Sequence, residues 1–500
     1  MDNNNNNMSI VSRLEGALLI SRDPYPYLML VAFEAGGPLR ALLLLLLSPA
    51  LWFLDLLRLE DASLRLMIFV STAGLRTADV KAVAKASLQK FFLEDLRESA
   101  YGMFSRCRGR RVVVTRLPRI MVEPFLREYL DVDHVIGTEL RTTTTTGGRC
   151  AGLVASKGVM GGPLELEALR ESMRDWEEEE IDVGLGDGLR DHPFMSLCRE
   201  PHLISPEEKP SALPRRDYPR PLIFHDGRLV QAPTVLESVA VAVWLPPSIL
   251  IAVSRVLVGT LLPFKLIPMA CAATGLRIRA QFPNNPTTLA AGAATTNRRR
   301  LYVCSHRTLL DPVFISTALQ RRVSAVTYSL SRLSELISPI PTTRLTRDRS
   351  RDDAAMRALL RRGDLVVCPE GTTCREPYLL RFSPLFAEIT EDIVPVAVTA
   401  EGSMFYGTTV RGYKCLDSFF FLMNPRPLYQ MLFLDHHQHH HSNGDNSSSS
   451  SSSYEVANRV QRSIGHALGF ECTNLTRKDK YRALAGTDGI DSRCFTRTNK

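Results

Sequence analysis

The sequence predicts an α/β protein with two sheet-bearing regions and an apolar helical segment between them. Short apolar runs of strand character alternate with helical patterns over residues 112–197 and again over 301–432, the rhythm of parallel sheets covered by helices. Between these regions, Val235 to Ile278 is almost continuously apolar. At 500 residues the chain is too long for one compact core, so two domains are the default and length allows a third.

Taken in order, Met1 to Asn7 is an Asn run with no positive region leading into an apolar one, so no cleavable signal is expected. Within Leu28 to Leu57, the apolar run Ala41 to Leu54 is about 14 residues, short of the roughly 20 that span a bilayer, and reads as an inserted, interfacial or buried helix. Arg111–Thr115 reads as a buried strand, Met121–Leu130 as a helix, and Ile181–Gly186 as a strand entering a Gly-rich turn. Val239–Val253 and Val256–Thr274 are separated by Ser254 and Arg255 and carry Pro246, Pro247, Pro263 and Pro268. They read as a hairpin that enters a membrane and returns or as a pair of short spans, the alternative being a buried helical pair. Pro283–Arg300 has linker composition. Strands follow at Leu301–Cys304, Leu365–Cys368 and Ile393–Val398. The His tract and Ser tract of 436–453 read as a disordered insertion rather than a metal site, and Tyr454–Phe470 resumes a helical pattern.

Lys plus Arg number 61 against 53 Asp plus Glu, a balance of +8 that favours anionic partners such as phosphorylated metabolites or lipid surfaces. No basic patch interleaved with aromatics and no zinc spacing occurs, so nucleic acid is not expected as a partner. The ten cysteines form no Cys-x-x-Cys pair, which suits reduced thiols facing the cytosol and argues against a disulfide framework or bound metal.

Four motifs in the second region carry chemistry. His306-Arg-Thr-Leu-Leu-Asp311-Pro312 directly follows a strand, at the edge where open α/β sheets place reactive groups. A histidine titrating near neutrality, oriented by a carboxylate, suits proton abstraction from a hydroxyl. Five residues apart is not a same-face helical spacing, so the two would meet across a turn, with Asp311-Pro312 starting a helix. Taken alone, a His and an Asp so spaced are more often unrelated surface groups. Arg344-Leu-Thr-Arg347-Asp-Arg349 offers guanidinium groups suited to a phosphate, or is a solvated charge run. In Pro369-Glu370-Gly371-Thr372-Thr-Cys-Arg375, the Gly-Thr-Thr turn can present N–H groups and hydroxyls to an anion, Glu370 can accept from substrate hydroxyls, and Arg375 can help hold a phosphate. Val394–Val398 lines an apolar channel or forms core.

These motifs, with the phrases His306–Phe314, Pro369–Phe382 and Phe470–Tyr481, resemble the glycerol-3-phosphate acyltransferases of land plants, and the likeness covers nearly the whole chain. The resemblance implies His306 as general base and Asp311 as its partner. It also implies Arg307, Arg347, Arg349, Glu370, Gly371, Thr372 and Arg375 around glycerol 3-phosphate. Acyl-CoA is the implied co-substrate, with no resident cofactor. The resemblance divides the chain into a haloacid-dehalogenase-like α/β domain at 8–215 with its apolar segment 28–57, a membrane-associated hairpin at 235–278, and a glycerolipid-acyltransferase α/β domain at 279–480.

In that family the N-terminal region looks like a phosphatase, which needs an aspartyl nucleophile and a second Asp two residues on, both helping to hold Mg²⁺. Here those positions are Arg13 and Glu15, followed by Ala17, so phosphatase chemistry is expected to be absent. Asp187 and Asp191 resemble the remaining acidic motif and read as turn-capping remnants, Thr115 sits where a phosphate-contacting hydroxyl is expected, and the family's lysine has no convincing match near Gly161–Leu164. The resemblance implies acylation at sn-2, a lysophosphatidic acid product and a role in suberin or cutin polyester synthesis. A membrane location, the endoplasmic reticulum, is expected, and the absence of a signal peptide with the motifs placed after the hairpin puts the expected active site on the cytosolic side. Acylation of a lysophospholipid, a bifunctional acyltransferase/phosphatase and a non-catalytic scaffold are the competing expectations.

Overall fold

The computed structural model describes residues 8–143, 148–176, 180–188, 193–204, 210–283, 299–328, 335, 337–435 and 452–489. The chain divides into two compact units, Met1–Gly227 with Ala232–Ala242, and Arg228–Gln231 with Val243–Lys500.

The first unit is organised around β1 (Ile10–Arg13), β2 (Arg111–Pro118), β3 (His134–Thr138), β6 (Ile181–Gly186) and β7 (Cys198–Leu203), in the order β3-β2-β1-β6-β7 with every pair parallel. Strands of a parallel sheet are covered on both faces and so read as unbroken apolar runs, as Val112–Val114 does. Val11, Val112 and Val114 pack with Leu169 and Phe194. β4 (Leu140–Thr143) and β5 (Arg149–Val154) form a separate antiparallel ribbon. The apolar segment 28–57 divides into parts with opposite surroundings. Tyr25–Glu34 is a helix whose Leu28, Leu30 and Val31 are core. Gly37, at φ +89°, ends it, and Pro38–Leu46 and Ser48–Leu56 follow with Leu39 82% and Trp52 66% exposed. Together they give an outward-facing stretch of 19 residues, Pro38–Leu56, long and apolar enough to cross a membrane.

The second unit carries a seven-stranded sheet of β8 (Arg277–Gln281), β9 (Leu301–Cys304), β10 (Ser324–Thr327), β11 (Thr342–Arg344), β12 (Leu365–Val367), β14 (Ile393–Glu401) and β15 (Leu428–Phe433). Their order is β11-β10-β12-β9-β14-β15-β8, with only the β14–β15 pair antiparallel. β13 (Tyr378–Leu379) pairs with β16 (Glu471–Cys472) apart from it. Leu301, Val303, Val367 and Ile393 meet Val460 and Ile464 of the helix Ser453–Leu468 in the core. Ser452 caps that helix, its hydroxyl accepting from the amide of Tyr454. Ser452 and Ser453, counted in the expected disordered insertion 436–453, thus belong to the start of that helix, and residues 436–451 lie outside the described residues.

The expected helical hairpin is asymmetric. Val235–Leu261 is one continuous 27-residue helix, which also meets the length and composition for crossing a membrane. The second limb is only the seven-residue helix Ile267–Ala273, and Arg277 and Ile278 already pair with Leu428 and Tyr429 of the sheet. Pro263 stands between the two helices, Pro268 falls in the first turn of the second, where proline is tolerated, and Gly275 at φ +87° turns the chain into β8.

Candidate active site

Central β9 ends at Cys304, and the next two residues are Ser305 and His306. Ser305 is pinned by its hydroxyl, which donates to the carbonyl of Val398 at 3.1 Å and accepts from its amide at 3.0 Å. The chain then turns into the helix Asp311–Ala318, whose first turn contains Asp311 and Pro312. An acidic group is favoured at that end by the helix dipole, and Pro fits because the early N–H groups have no helical acceptor. The turn brings His306 Nδ1 to 2.9 Å from Asp311 Oδ2.

Asp311 is wholly buried and saturated with donors. Its Oδ2 also accepts from the amide of Arg307 at 2.7 Å, while Oδ1 accepts from the amide and hydroxyl of Thr308, each at 2.9 Å, and from the hydroxyl of Tyr429. A carboxylate so satisfied stays put and can steady a charged imidazole. Burial lowers the His306 imidazole pKa, whereas Asp311, by its hydrogen bond to Nδ1 and its charge, raises it. Cys368 sits 3.4 Å from the Cys304 sulfur. That hydrogen bond, with burial, pushes the Cys368 thiol well up, so it is a neutral thiol near neutral pH and the lasting negative partner of His306 is Asp311.

The other expected site residues fall into two groups. Gly371, at φ +66°, and Thr372 line the same cavity as His306. Glu370 and Arg307 stand behind the site, and both depart from their expected place against the substrate. Glu370 Oε1 accepts from the His306 amide at 2.8 Å and Oε2 from the Leu380 amide at 2.9 Å, so the carboxylate holds the histidine loop. Arg307 donates to the carbonyls of Cys374 at 2.6 Å and Glu376 at 2.8 Å and stacks on Phe470. The remaining three arginines do not line the cavity. Arg375 bonds Thr408 and lies over Tyr406, Arg349 pairs with Glu388 at the surface, and exposed Arg347 lies over Tyr328. A short Arg-x-Arg spacing does not aim two side chains one way here, because Arg347 is left-handed at φ +68° while Arg349 begins the helix Arg349–Arg362.

The cavity holds about 580 Å³. Its walls are mostly apolar, with Leu310, Val313, Phe314, Val326, Ile340 and Met356 among them, and a basic stretch is formed by Lys414, Arg477 and Lys480. These cations, and Tyr429, lie outside the expected set. One local signal was readable: Thr476-x-x-Asp479 is a capping box that starts the helix Arg477–Ala485 and so fixes where Arg477 and Lys480 sit.

In the first unit, Arg13 stands at the C-terminal end of the central strand, where such sheets place their chemistry. Its buried guanidinium pairs with Glu165 and, at 3.2 Å, with Glu15. Glu15 Oε1 accepts from the Thr115 hydroxyl at 2.6 Å and from the amides of Arg116 and Leu117. Asp187 pairs with Arg22 at 2.7 Å, and Asp191 lies outside the described residues. A divalent cation does not fit this set, since a fixed positive charge occupies its centre and the nearby carboxylates are committed to it.

Residues 9–204 match the family described as "Glycerol-3-phosphate acyltransferase RAM2-like, HAD-like domain", and residues 284–399 match the acyltransferase family. "Glycerol-3-phosphate acyltransferase RAM2" of Petunia hybrida is 46% identical over 476 residues, covering 95% of this chain and 97% of that one. "Glycerol-3-phosphate acyltransferase 1" of Arabidopsis thaliana is 48% identical over 472 residues, covering 93% and 78%. Among solved structures, a Bordetella pertussis protein of unknown function aligns with a TM-score of 0.33 at 15% identity, covering 40% of this chain and 92% of that one.

Proposed function

The chain belongs to the glycerol-3-phosphate acyltransferase family, with a haloacid-dehalogenase-like N-terminal domain and a C-terminal acyltransferase domain, and from that premise we propose that His306 catalyses acyl transfer from acyl-CoA to glycerol 3-phosphate. The observation that carries the reading is the His306–Asp311 pair on the wall of a largely apolar cavity. With Nδ1 held by Asp311, the imidazole's Nε2 takes the proton of the attacking hydroxyl. The hydroxyl oxygen bonds the thioester carbonyl carbon, the carbon–sulfur bond breaks, and the imidazolium returns its proton to the leaving thiolate. Thr308 and Tyr429 hold Asp311, Glu370 and Arg307 hold the loop, and Gly371 and Thr372 border the space for the acceptor.

The product keeps its phosphate in this account, because Arg13 can neither form an acyl phosphate nor hold a metal. We assign the acyl group to sn-2, a long and possibly ω-oxidised donor, and a product that feeds extracellular suberin or cutin. Pro38–Leu56 and Val235–Leu261 serve as the membrane contacts at the endoplasmic reticulum, with the site on the cytosolic side. The test is a product analysis with glycerol 3-phosphate labelled in both phosphate and glycerol. A monoacyl product carrying both labels supports the reading, whereas monoacylglycerol, or transfer onto lysophospholipid alone, overturns it.

A further inference from the structure

We propose that Lys414, Arg477 and Lys480, with the Thr373 hydroxyl, form the seat for a substrate phosphate on the cavity that holds His306. This rests on the reading of His306 above and moves the anion site away from the Arg344–Arg349 cluster, where Arg349 is already paired with Glu388 and neither Arg347 nor Arg349 lines the cavity.

The three cations come from two segments that are far apart in sequence but share one wall. Lys480 is only 6% exposed, and its ammonium donates to the Thr373 carbonyl at 2.5 Å and approaches the Thr373 hydroxyl at 3.3 Å. Thr373 is part of the Gly371–Thr372–Thr373 turn that borders the cavity, and the amide of the next residue, Cys374, donates to the His306 carbonyl at 3.0 Å. The ammonium is therefore fixed to the same loop that fixes the histidine, so a phosphate held there stands in set register with the base. Tyr481 organises the other two cations. Lys414 donates to its hydroxyl at 2.7 Å, and the Arg477 guanidinium lies 4.5 Å from its ring centre. Asp417 is the acidic neighbour on this wall, and its charge is met by Arg228 at 2.8 Å, which leaves the local balance positive. Two ammonium groups and a guanidinium, with a hydroxyl and the turn beside them, are the donor set that a phosphate dianion takes.

Phosphate is carried both by glycerol 3-phosphate and by the nucleotide of CoA, and the experiment separates them. Equilibrium binding of each is measured on the detergent-solubilised full chain for the native protein, Lys414→Met, Lys480→Met, Lys480→Arg and His306→Ala. Removing one charge-assisted contact should weaken the held ligand roughly tenfold to a hundredfold, with Lys480→Arg keeping part of the affinity and His306→Ala binding normally without turnover. Weakened glycerol 3-phosphate with unchanged CoA assigns the seat to the acceptor, and the reverse assigns it to the donor. If Lys480→Met does not fold, half-buried Lys414 decides alone. Native-like binding of both ligands by the folded lysine variants, or no binding by the native chain, overturns the proposal. Lysine-dependent binding without any acyl transfer would leave the seat standing and remove the acyltransferase reading.

Discussion

Replacing Asp311 with Asn tests the dyad with little change of shape. The aspartate accepts from His306 and Arg307 at one oxygen and from Thr308 and Tyr429 at the other. An amide supplies one oxygen and one NH₂, so on either orientation a donor faces a donor. Leaving a buried donor unsatisfied costs about 1–3 kcal/mol, which a folded domain survives. The catalytic loss should be larger, because the imidazolium loses its counter-charge and Nδ1 its fixed tautomer, and positioned base catalysis contributes about 10²–10⁴ in rate. The pH profile gives a second, independent readout. The base works when unprotonated, and Asp311 raises the His306 pKa, which moves the acid limb upward. Asp311 is one cause of that rise, hence Asp311→Asn should lower the limb while cutting the plateau. The stability contribution from holding the His306 proton, present below the ordinary histidine value and lost as pH rises through the raised one, should shrink in the same variant. The assay is initial-rate transfer of a labelled acyl group across the pH range, with thermal unfolding in parallel. A folded Asp311→Asn with a native rate, or with its acid limb unmoved, would refute the reasoning.

Tyr429→Phe removes one of several donors to Asp311 and should lower kcat about threefold to tenfold with KM unchanged; a KM effect would place the tyrosine against substrate instead. Cys368→Ser should keep most of the turnover, because a thiol held neutral is not the nucleophile; loss of activity together with ping-pong kinetics would make Cys368 an acyl carrier. Arg13→Asp alone leaves Glu15 and Glu165 facing a third carboxylate in a buried place, and should destabilise the first unit by about 3–5 kcal/mol. Adding Glu165→Lys should recover part of that loss, as read by limited proteolysis of the full chain, and additive effects of the two substitutions would show that the pair is not coupled.

What could be read from the chain follows from how locally each feature is encoded. β9, buried along its whole length, is a continuous apolar run and was legible to the residue, as was the turn from His306 to Asp311, where strand end, proline and acidic group lie within a few positions. The expected hairpin is asymmetric because the first helix runs past Ser254 and Arg255 to Leu261 and takes up residues assigned to the return, while β8 is defined by its pairing with β15, about 150 residues on. The same applies to the site. Which atoms Glu370 and Arg307 bind depends on loops brought together by the sheet, so their backbone-holding roles left no sequence signal. Arg349 pairs with Glu388, 39 residues away, a partner that no local pattern announces. Glu165 likewise shows its meaning only beside Arg13, 152 residues earlier, with which it forms a buried ion pair.

The account rests most directly on His306, and the measurement that tests it compares the native protein with His306→Ala in membranes supplied with labelled glycerol 3-phosphate and a long-chain acyl-CoA. It predicts a phosphorylated monoacyl product from the native protein and none above background from a His306→Ala protein that is present at equal level and equally resistant to protease. Equal product from both would contradict it.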